Sequence, residues 1–228
     1  MNVDSRLLGA EIGGMAVVFA LVLFLSAGTI AWPAGWAFLV LFFSFVIGLT
    51  LWLLRHDPGL LKERMSNLKR DQKTWDKAFY VTANVVFIAW FIVMPLDAVR
   101  FGWSHVPAWL QVVGAVVLLC SFYLFYLTFR ENSYLSPSVR IQTDRGQTVV
   151  STGPYHYVRH PMYSAAVLWT VGTALLLGSW YGLLFGLVLL DGLIAARAVL
   201  EERTLRAELP GYDAYMARVK YRLIPRVW

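Results

Sequence analysis

The amino-acid sequence predicts an all-α, polytopic membrane protein, and three observations lead to that prediction. Of its 228 residues, 58% are hydrophobic and 15% are charged, whereas about a quarter of the residues in soluble domains are charged. Four long runs contain no Asp, Glu, Lys or Arg: residues 12–54, 78–96, 101–129 and 161–190. Finally, 19 of the 20 Lys and Arg residues fall on one side of the membrane that these runs define.

The uncharged runs divide into six candidate spans, because a helix needs about 20 apolar residues to cross a bilayer. Trp32-Pro33-Ala34-Gly35 supplies a turn within the first run, and Gly178-Ser179 breaks the last one. The predicted spans are 12–31, 34–54, 78–97, 107–129, 162–178 and 180–198. Since the fifth of these is short, five spans are the alternative.

The segments between the spans have distinct predicted structures. Residues 57–77 are predicted to form an amphipathic helix on the membrane surface, with basic residues on its polar faces. Its apolar stripe consists of Leu61, Met65, Leu68, Gln72 and Trp75. Residues 130–160 are predicted as a short hairpin or an irregular loop around a turn at 143–146. Residues 197–217 are predicted as a helix broken at Pro210-Gly211.

The placement of charge predicts how the protein lies in the membrane. The N-terminus, the loops 55–77 and 130–160 and the tail from Arg197 hold 19 basic residues, and Arg100 alone lies on the other side. By the positive-inside rule both termini and both large loops are cytosolic, in the cell inner membrane if the protein is bacterial. Orientation accounts for the net charge of +6, so we predict no nucleic-acid partner.

The histidines and the single cysteine do not indicate a metal site. His56, His105, His156 and His160 have no Cys partners, and none is paired at the spacing of helical ligands. Cys120 lies within the fourth predicted span, where a small buried hydrophobic residue is the expected interpretation. We therefore predict no bound metal.

The stretch from Gly153 to Tyr163, GPYHYVRHPMY, carries more polar chemistry than a membrane anchor needs. Pro161 suits the first turn of the fifth span, since its missing N–H costs nothing there. That leaves Arg159 and His160 at the helix N-terminus, where a negatively charged group is favoured. The alternative interpretation, an interfacial belt of aromatic and basic side chains, does not explain the Gly-Pro and His-Pro pairs.

The last span carries the other charged candidates. Arg197 is spaced to pair with Glu201 one helical turn away, and Glu202 projects from a neighbouring face. Two carboxylates at a helix C-terminus oppose the helix dipole, so we expect a cationic group beside them. Asp191 lies deeper in the span and is expected to find a polar partner on another span, or water.

These motifs together resemble a known family. GPYHYVRHPMY, the pair Glu201-Glu202, a Tyr-x-x-Tyr at 212–215 and the closing Arg-Leu-Ile-Pro at 222–225 are similar to the membrane methyltransferases typified by isoprenylcysteine carboxyl methyltransferase. The phosphatidylethanolamine N-methyltransferases look like more distant relatives. The resemblance runs from about residue 132 to the end of the sequence. No internal repeat or second domain is visible in the sequence, so we predict a single integral membrane domain over 1–228. Within it the resemblance implies a cofactor-binding catalytic region in 130–228, whereas 1–129 match only as generic spans.

The resemblance also implies a cofactor, a substrate class and a site. S-adenosyl-L-methionine would bind on the cytosolic side, and a lipophilic substrate would enter from the bilayer among the membrane lipids. By resemblance Arg159 and Glu202 are the catalytic residues, Arg159 orienting the nucleophile and Glu202 shaping the pocket. The implied cofactor-binding residues are Gly153, Pro154, Tyr155, Tyr157, Val158, His160, Pro161, Tyr163, Arg197, Glu201 and Glu202.

Helix geometry predicts that the two halves of this site meet. The helices of the 162–198 hairpin turn tightly and should lie antiparallel. At a rise of about 1.5 Å per residue the two helices have similar lengths, so their cytosolic ends lie at the same depth in the membrane. Arg159, His160, Tyr163 and Glu202 are therefore expected to form one site, with Arg197 lining it beside Glu201.

Two other functions are alternatives to the methyltransferase: an NADPH-dependent reductase and a non-catalytic scaffold. Membrane sterol reductases share an RHPxY-like loop and use NADPH, but Met162 replaces their Asn and no acidic residue follows Tyr163. That departure favours the methyltransferase. A non-catalytic scaffold would leave all three polar clusters unexplained. The methyl acceptor stays open among a prenylated cysteine carboxylate, a phospholipid amine and a small lipophilic thiol.

Overall fold

The computed structural model describes residues 5–65 and 73–228, and all regular structure in this part of the chain is helical. The helices are α1 Ser5–Ala27, α2 Pro33–His56, α3 Pro58–Met65, α4 Thr74–Pro95, α5 Ala108–Glu131, α6 Pro161–Leu177, α7 Trp180–Phe185, α8 Asp191–Glu208 and α9 Tyr212–Arg218. A π-helical turn, Leu96–Arg100, extends α4, and another, Gly186–Leu190, joins α7 to α8. The predicted all-α membrane protein is confirmed.

All six predicted spans are helical in the structure. Five are long and apolar enough to cross a membrane: α1, α2, α4 with its π turn, α5, and the continuous α7–α8 helix. The sixth, α6, has 17 residues and is about 25 Å long at 1.5 Å per residue. It is the span that the sequence predicted to be short.

The helices share two ends, which contacts between distant residues define. At one end Lys73 pairs with Glu208 at 2.7 Å and Glu63 pairs with Arg140 at 3.2 Å. Helices α3 and α9 and the loop between α5 and α6 lie at this end. We call it the basic end, because the segments outside the spans on this side carry most of the Lys and Arg residues. At the opposite end the buried carboxylate of Asp97 accepts a hydrogen bond of 2.6 Å from Ser179.

The position of α6 depends on very close packing against α5. A Cβ added to Gly114 would lie 2.5 Å from the amide nitrogen of Leu176, and one added to Gly172 would lie 2.6 Å from that of Leu118. Small residues let membrane helices approach at backbone distance. The two helices therefore hold the chain before Pro161 at a fixed place on the basic end.

The break between α6 and α7 follows the sequence prediction. Gly178 ends α6 with φ 83°, a left-handed conformation that glycine adopts at low cost. The hydroxyl of Ser179 then caps α7 by accepting a hydrogen bond of 2.7 Å from the amide of Gly182. Gly178 and Ser179 therefore reverse the direction of the chain between α6 and α7.

The segments outside the spans differ in part from prediction. The single helix predicted over 57–77 is wrong, because Lys73 lies outside any helix and Trp75 belongs to α4, which begins at Thr74. Leu68 and Gln72 of the predicted stripe lie outside the described residues. In the 132–160 segment the irregular loop is confirmed, with 3₁₀ turns at Thr143–Arg145 and Gly153–His156.

The predicted helical break and the predicted burial of Cys120 have different outcomes. The helical break at Pro210-Gly211 is confirmed, since α8 ends at Glu208 and α9 begins at Tyr212. Cys120, expected to be buried, is exposed on the surface of α5, because its side of that helix has no neighbouring helix to cover it.

Candidate active site

A polar cavity of about 90 Å³ lies at the basic end, between the loop before α6 and helices α6, α8 and α9. Side chains from five separate parts of the chain line it, so the fold brings the site together across long sequence distances. Its lining residues are Asn132, Leu135, Gln147, Thr148, Val149, Val150, Tyr155, Arg159, His160, Met162, Tyr163, Glu201, Leu205, Leu209, Tyr212 and Tyr215. We call it the polar cavity.

The segment after α9 fixes the start of α6. Pro161 occupies the first turn of the helix, as predicted, with His160 at the N-cap position. The amide of Arg159 donates to the carbonyl of Tyr221, and the amide of His160 donates to the carbonyl of Arg222, both at 2.9 Å. These hydrogen bonds hold Arg159 and His160 in place at the mouth of the helix.

Glu202 joins the two halves of the hairpin. Its Oε1 accepts a hydrogen bond of 2.6 Å from Nε of Arg159 and lies 3.3 Å from Nε2 of His160. Its Oε2 accepts a hydrogen bond of 2.8 Å from Nε of Arg222. The carboxylate is buried. The guanidinium groups of Arg159 and Arg222 beside it are the cationic partners expected from the helix dipole. Glu202 stands behind the cavity lining, not within it.

Glu201 has a different environment, because it lines the polar cavity. Its Oε2 accepts a hydrogen bond of 2.5 Å from the hydroxyl of Tyr163. Tyr163 stacks on the ring of His160 with centroids 5.4 Å apart. The pair Tyr163–Glu201 thus forms the wall of the cavity where α6 and α8 meet.

One nitrogen of the Arg159 guanidinium, Nη2, has no hydrogen-bond partner among the described residues. Nη1 of the same side chain donates to the carbonyls of Val219 and Lys220, both at 2.8 Å, while Nε binds Glu202. Within residues 5–65 and 73–228 no acceptor pairs with Nη2. Since Arg159 lines the polar cavity, this nitrogen is available to an anionic group bound there.

Three tyrosines supply neutral polar groups to the cavity. The hydroxyl of Tyr155 accepts a hydrogen bond of 2.8 Å from Asn132, and that of Tyr215 donates at 2.8 Å to the carbonyl of Tyr155. The hydroxyl of Tyr212 is buried with no partner among the described residues. Burial raises the pKa of all three, so at neutral pH each hydroxyl keeps its proton and can donate it in a hydrogen bond.

A second, larger cavity lies within the membrane-spanning part. It measures about 350 Å³ and is lined mainly by apolar and aromatic residues of α4, α6 and α8. Phe79, Phe87 and Trp169 are among its walls. Met162 and Tyr163 line both this membrane cavity and the polar cavity. The two spaces therefore meet at the first turn of α6.

Arg197 corrects one prediction. It forms its ion pair with Asp76 of α4, at 3.2 Å, and not with Glu201. Its Nη2 also donates to the carbonyl of Pro137 at 2.6 Å. Asp76 is completely buried and is the ion-pair partner of Arg197. The carboxylate of Glu201 instead accepts a hydrogen bond from the hydroxyl of Tyr163. Arg197 lines the membrane cavity and, with Glu201, a small cavity of about 50 Å³ beside the polar cavity.

The structure brings together only part of the predicted site. Tyr155, Arg159, His160, Tyr163 and Glu201 line the polar cavity. The structure places three predicted residues elsewhere, in an open surface groove of about 650 Å³ on the far side of the loop: Gly153, Pro154 and Tyr157. Val158 is buried, Pro161 begins α6, and Tyr157 is 67% exposed. Position in the sequence motif alone does not distinguish these two sides.

Several residues of the site were missed by sequence reasoning. Asp76 gave no signal, because a single acid at the start of a span looks like a surface residue until Arg197 is placed beside it. Asn132 and Gln147 line the cavity from a loop without periodicity. Tyr212, Tyr215 and Arg222 belong to the quoted motifs, and the repeated Tyr-x-x-Tyr was the signal for the first two. The expected partner of Asp191 is confirmed as Thr170, at 3.2 Å.

Comparison with known proteins gives one family match. No curated protein matches the chain. Residues 109–209, from α5 to the end of α8, match the model of the phospholipid methyltransferase family. The matched segment includes Arg159, His160, Glu201 and Glu202. The match supports a membrane methyltransferase and confirms the family resemblance that the sequence predicts.

Proposed function

We propose that the protein is an S-adenosyl-L-methionine-dependent methyltransferase that methylates a lipophilic acceptor drawn from the bilayer. The observation that carries the proposal is the meeting of two unlike cavities at Met162 and Tyr163. A polar cofactor suits the cavity that opens among loop residues at the basic end. An acceptor with a hydrocarbon body suits the apolar cavity among the spans.

The residues present fit this cofactor by their hydrogen-bonding chemistry. Glu201 offers a carboxylate to an amine or a hydroxyl group, and the unpaired Nη2 of Arg159 suits a carboxylate. The hydroxyl of Tyr212, buried without a partner, gains one when a polar ligand binds. Tyr155 and Tyr215 supply flat surfaces for an aromatic base. When bound, the cofactor supplies an electrophilic methyl group.

The protein contributes mainly position to such a reaction. Methyl transfer is a displacement in line, so holding two reactants together supplies much of the rate enhancement. Glu202 keeps Arg159, His160 and Arg222 in fixed places. Tyr163, held by Glu201, stands at the junction where the acceptor meets the polar cavity. Burial of this junction excludes water from the reacting atoms.

The acceptor is proposed at the level of its class. The motif around His160 favours an activity like that of isoprenylcysteine carboxyl methyltransferase, with phospholipid amines and small thiols as alternatives. We also propose that the basic end faces the cytosol, because 19 of 20 Lys and Arg residues belong to it by sequence position.

Binding of S-adenosylhomocysteine and of NADPH to the detergent-purified protein tests the cofactor. Thermal unfolding should shift upward with S-adenosylhomocysteine and not with NADPH. Glu201→Gln should reduce that shift, whereas Glu208→Gln, the same change at an exposed ion pair on α8, should keep it. A shift with NADPH alone would favour the reductase, and no shift with either ligand would refute both functions.

The acceptor is then identified by transfer of a labelled methyl group in lipid nanodiscs. Prenylated cysteine, phosphatidylethanolamine and a long-chain thiol are supplied separately. We expect transfer to a lipophilic acceptor and none to a short, water-soluble analogue with the same reactive group. Equal transfer to the soluble analogue would exclude the membrane cavity as the acceptor site.

A further inference from the structure

Two arginine side chains hold donors without partners among the described residues: Arg197, which lines the membrane cavity, and Arg64 on α3. Nη1 of Arg64 and Nε of Arg197 are both buried, and neither makes a hydrogen bond to any described residue. Buried donors are nearly always paired in native proteins, so each such orphan calls for an explanation. Two of them on cationic groups indicate a site for an anion.

Helix α3 brings Arg64 near the cavity. Its buried residues Leu60 and Leu61 pack with Phe129, and Phe125 and Met162 pack against the same cluster. Phe125 and Met162 also line the membrane cavity. The guanidinium of Arg64 lies over the ring of Phe129, 4.9 Å from its centroid. Phe125 and Met162 therefore link the cluster on which α3 packs to the membrane cavity, although Arg64 is not itself among the lining residues of that cavity.

The charges at this place are not balanced among the residues that the structure describes. Arg197 has Asp76 as its counter-ion, but Arg64 has no carboxylate partner among the residues that the structure describes. Burial and the nearby charge of Arg197 lower the pKa of Arg64 to about 10, which still leaves it protonated at neutral pH. Arg64 is partly buried, and a cation that loses water without gaining a counter-ion destabilises a fold. A bound anion would offset that cost.

We propose that Arg64 and Arg197 bind the oxyanion of an amphiphilic ligand, a phosphate or a carboxylate, whose hydrocarbon part fills the membrane cavity. This inference rests on the proposed function and narrows its acceptor to anionic lipids. Guanidinium groups suit such oxyanions because their planar donors match the spacing of the oxygens. A neutral long-chain thiol would leave both donors unpaired and should be a poor ligand.

The site also orients the ligand. Arg197 lies one helical turn before Glu201, or about 6 Å along α8, and Glu201 lines the polar cavity. An anion held by Arg197 thus places the adjoining part of the headgroup beside Tyr163, where the two cavities meet. For an acceptor that carries a phosphate, Arg64 is a positioning residue, because the oxyanion that it holds is not the atom that is methylated.

Thermal unfolding of the full chain in a neutral maltoside detergent tests the site without any methyl transfer. The probes are dodecyl phosphate, laurate and dodecanol, which share a hydrocarbon chain and differ in charge. Dodecyl phosphate or laurate should raise the unfolding temperature of the wild type more than dodecanol does. Equal shifts with all three probes would overturn the proposal without recourse to any variant.

The variants Arg64→Met and Lys62→Met then locate the effect. Lys62 lies on the same helix with an exposed side chain, so its removal controls for general attraction to a basic surface. We expect Lys62→Met to keep the anion-specific shift and Arg64→Met to lose it. Retention of the full shift in Arg64→Met contradicts the proposal.

Methyl-transfer kinetics separate this inference from the proposed function. Arg64→Met should raise the KM for an anionic acceptor about tenfold and leave kcat nearly unchanged, since only binding is affected. A protein that shows the Arg64-dependent anion shift but does not bind S-adenosylhomocysteine would retain the anion site and lose the proposed function. The opposite pair of results would retain the function and reject the site.

Discussion

Glu202 is the residue on which the geometry of the candidate site depends. It accepts hydrogen bonds from Arg159 and Arg222, and His160 lies within 3.3 Å. Its carboxylate is buried, so its attraction to the two guanidinium groups acts in a medium of low polarity. Removing one member of such a group leaves the others as buried charges without a counter-ion.

Glu202→Gln should therefore lower the stability of the protein strongly. We expect a loss of about 3–5 kcal/mol in the free energy of unfolding, as for other broken buried ion pairs. Asp213→Asn provides the control, because its ion pair with Arg206 is exposed and such pairs contribute about 0–1 kcal/mol. Chemical unfolding in mild detergent measures both. Similar losses in the two variants would mean that Glu202 does not organise the site.

Tyr212 and Tyr215 give a matched pair for separating ligand binding from folding. Tyr215→Phe breaks a hydrogen bond to Tyr155 and should cost about 1 kcal/mol of stability. Tyr212→Phe removes a hydroxyl that has no partner among the described residues, so stability should stay the same or rise. Its affinity for S-adenosylhomocysteine should fall about two- to tenfold, in line with one hydrogen bond. A Tyr212→Phe protein that loses stability and keeps full affinity would show a structural role instead.

At this scale the sequence predicts which residues carry the chemistry better than what each residue contacts. Arg159, His160 and Glu202 meet as expected, because helix rise and the tight turn determine where the hairpin ends lie. The pairing of Arg197 with Glu201 fails, since helical spacing contains no information about Asp76. That acid lies 121 residues earlier in the sequence and reaches Arg197 only through the packing of α4 against α8.

Among the elements, the helices are more predictable than the segments that join them. A long uncharged run has to become a helix in lipid, because every backbone polar group must be paired within the segment. The loop between α5 and α6 is under no such rule. Side chains hold it, as when Gln142 donates at 2.6 Å to the carbonyl of Tyr134. No periodic pattern in the sequence could reveal those contacts.

The same loop is expected to move when the cofactor binds. The polar cavity and its small neighbour measure about 90 and 50 Å³, whereas pockets for ligands of this size hold roughly 300–1,000 Å³. Leu135 and Gln147 line both cavities, so displacement of residues 135–150 would join and enlarge them. We predict that S-adenosylhomocysteine changes amide hydrogen exchange in 135–150.

The closely packed part of the fold serves as the internal reference for that measurement. Exchange around Gly114 and Gly172 should stay the same, because the backbones of α5 and α6 leave no free space there. If the ligand binds and exchange in 135–150 is unaltered, the loop does not open and the cofactor must occupy another space.

The molecule as a whole separates polar from apolar functions along one axis. Its basic end carries the polar cavity and most of the charged side chains, while the membrane cavity lies among the spans. Placing an arginine or lysine at the centre of a bilayer costs about 3 kcal/mol, so the charged residues concentrated at the basic end help to set the depth of the protein. The reacting groups then meet close to the membrane surface.

The orientation of the whole chain can be tested with single cysteines in a Cys120→Ser background. Lys62→Cys and Asp213→Cys report on the basic end, where both side chains are exposed, and Trp103→Cys reports on the opposite end, where Trp103 is 63% exposed. Because both α3 and α9 lie at the basic end, a membrane-impermeant maleimide should label Lys62→Cys and Asp213→Cys from the same, cytosolic face. Trp103→Cys should react from the other face only. Labelling of the first two from opposite faces would require an odd number of crossings between them, which would remove α6 from the set of spanning helices and separate Arg159 from Glu202.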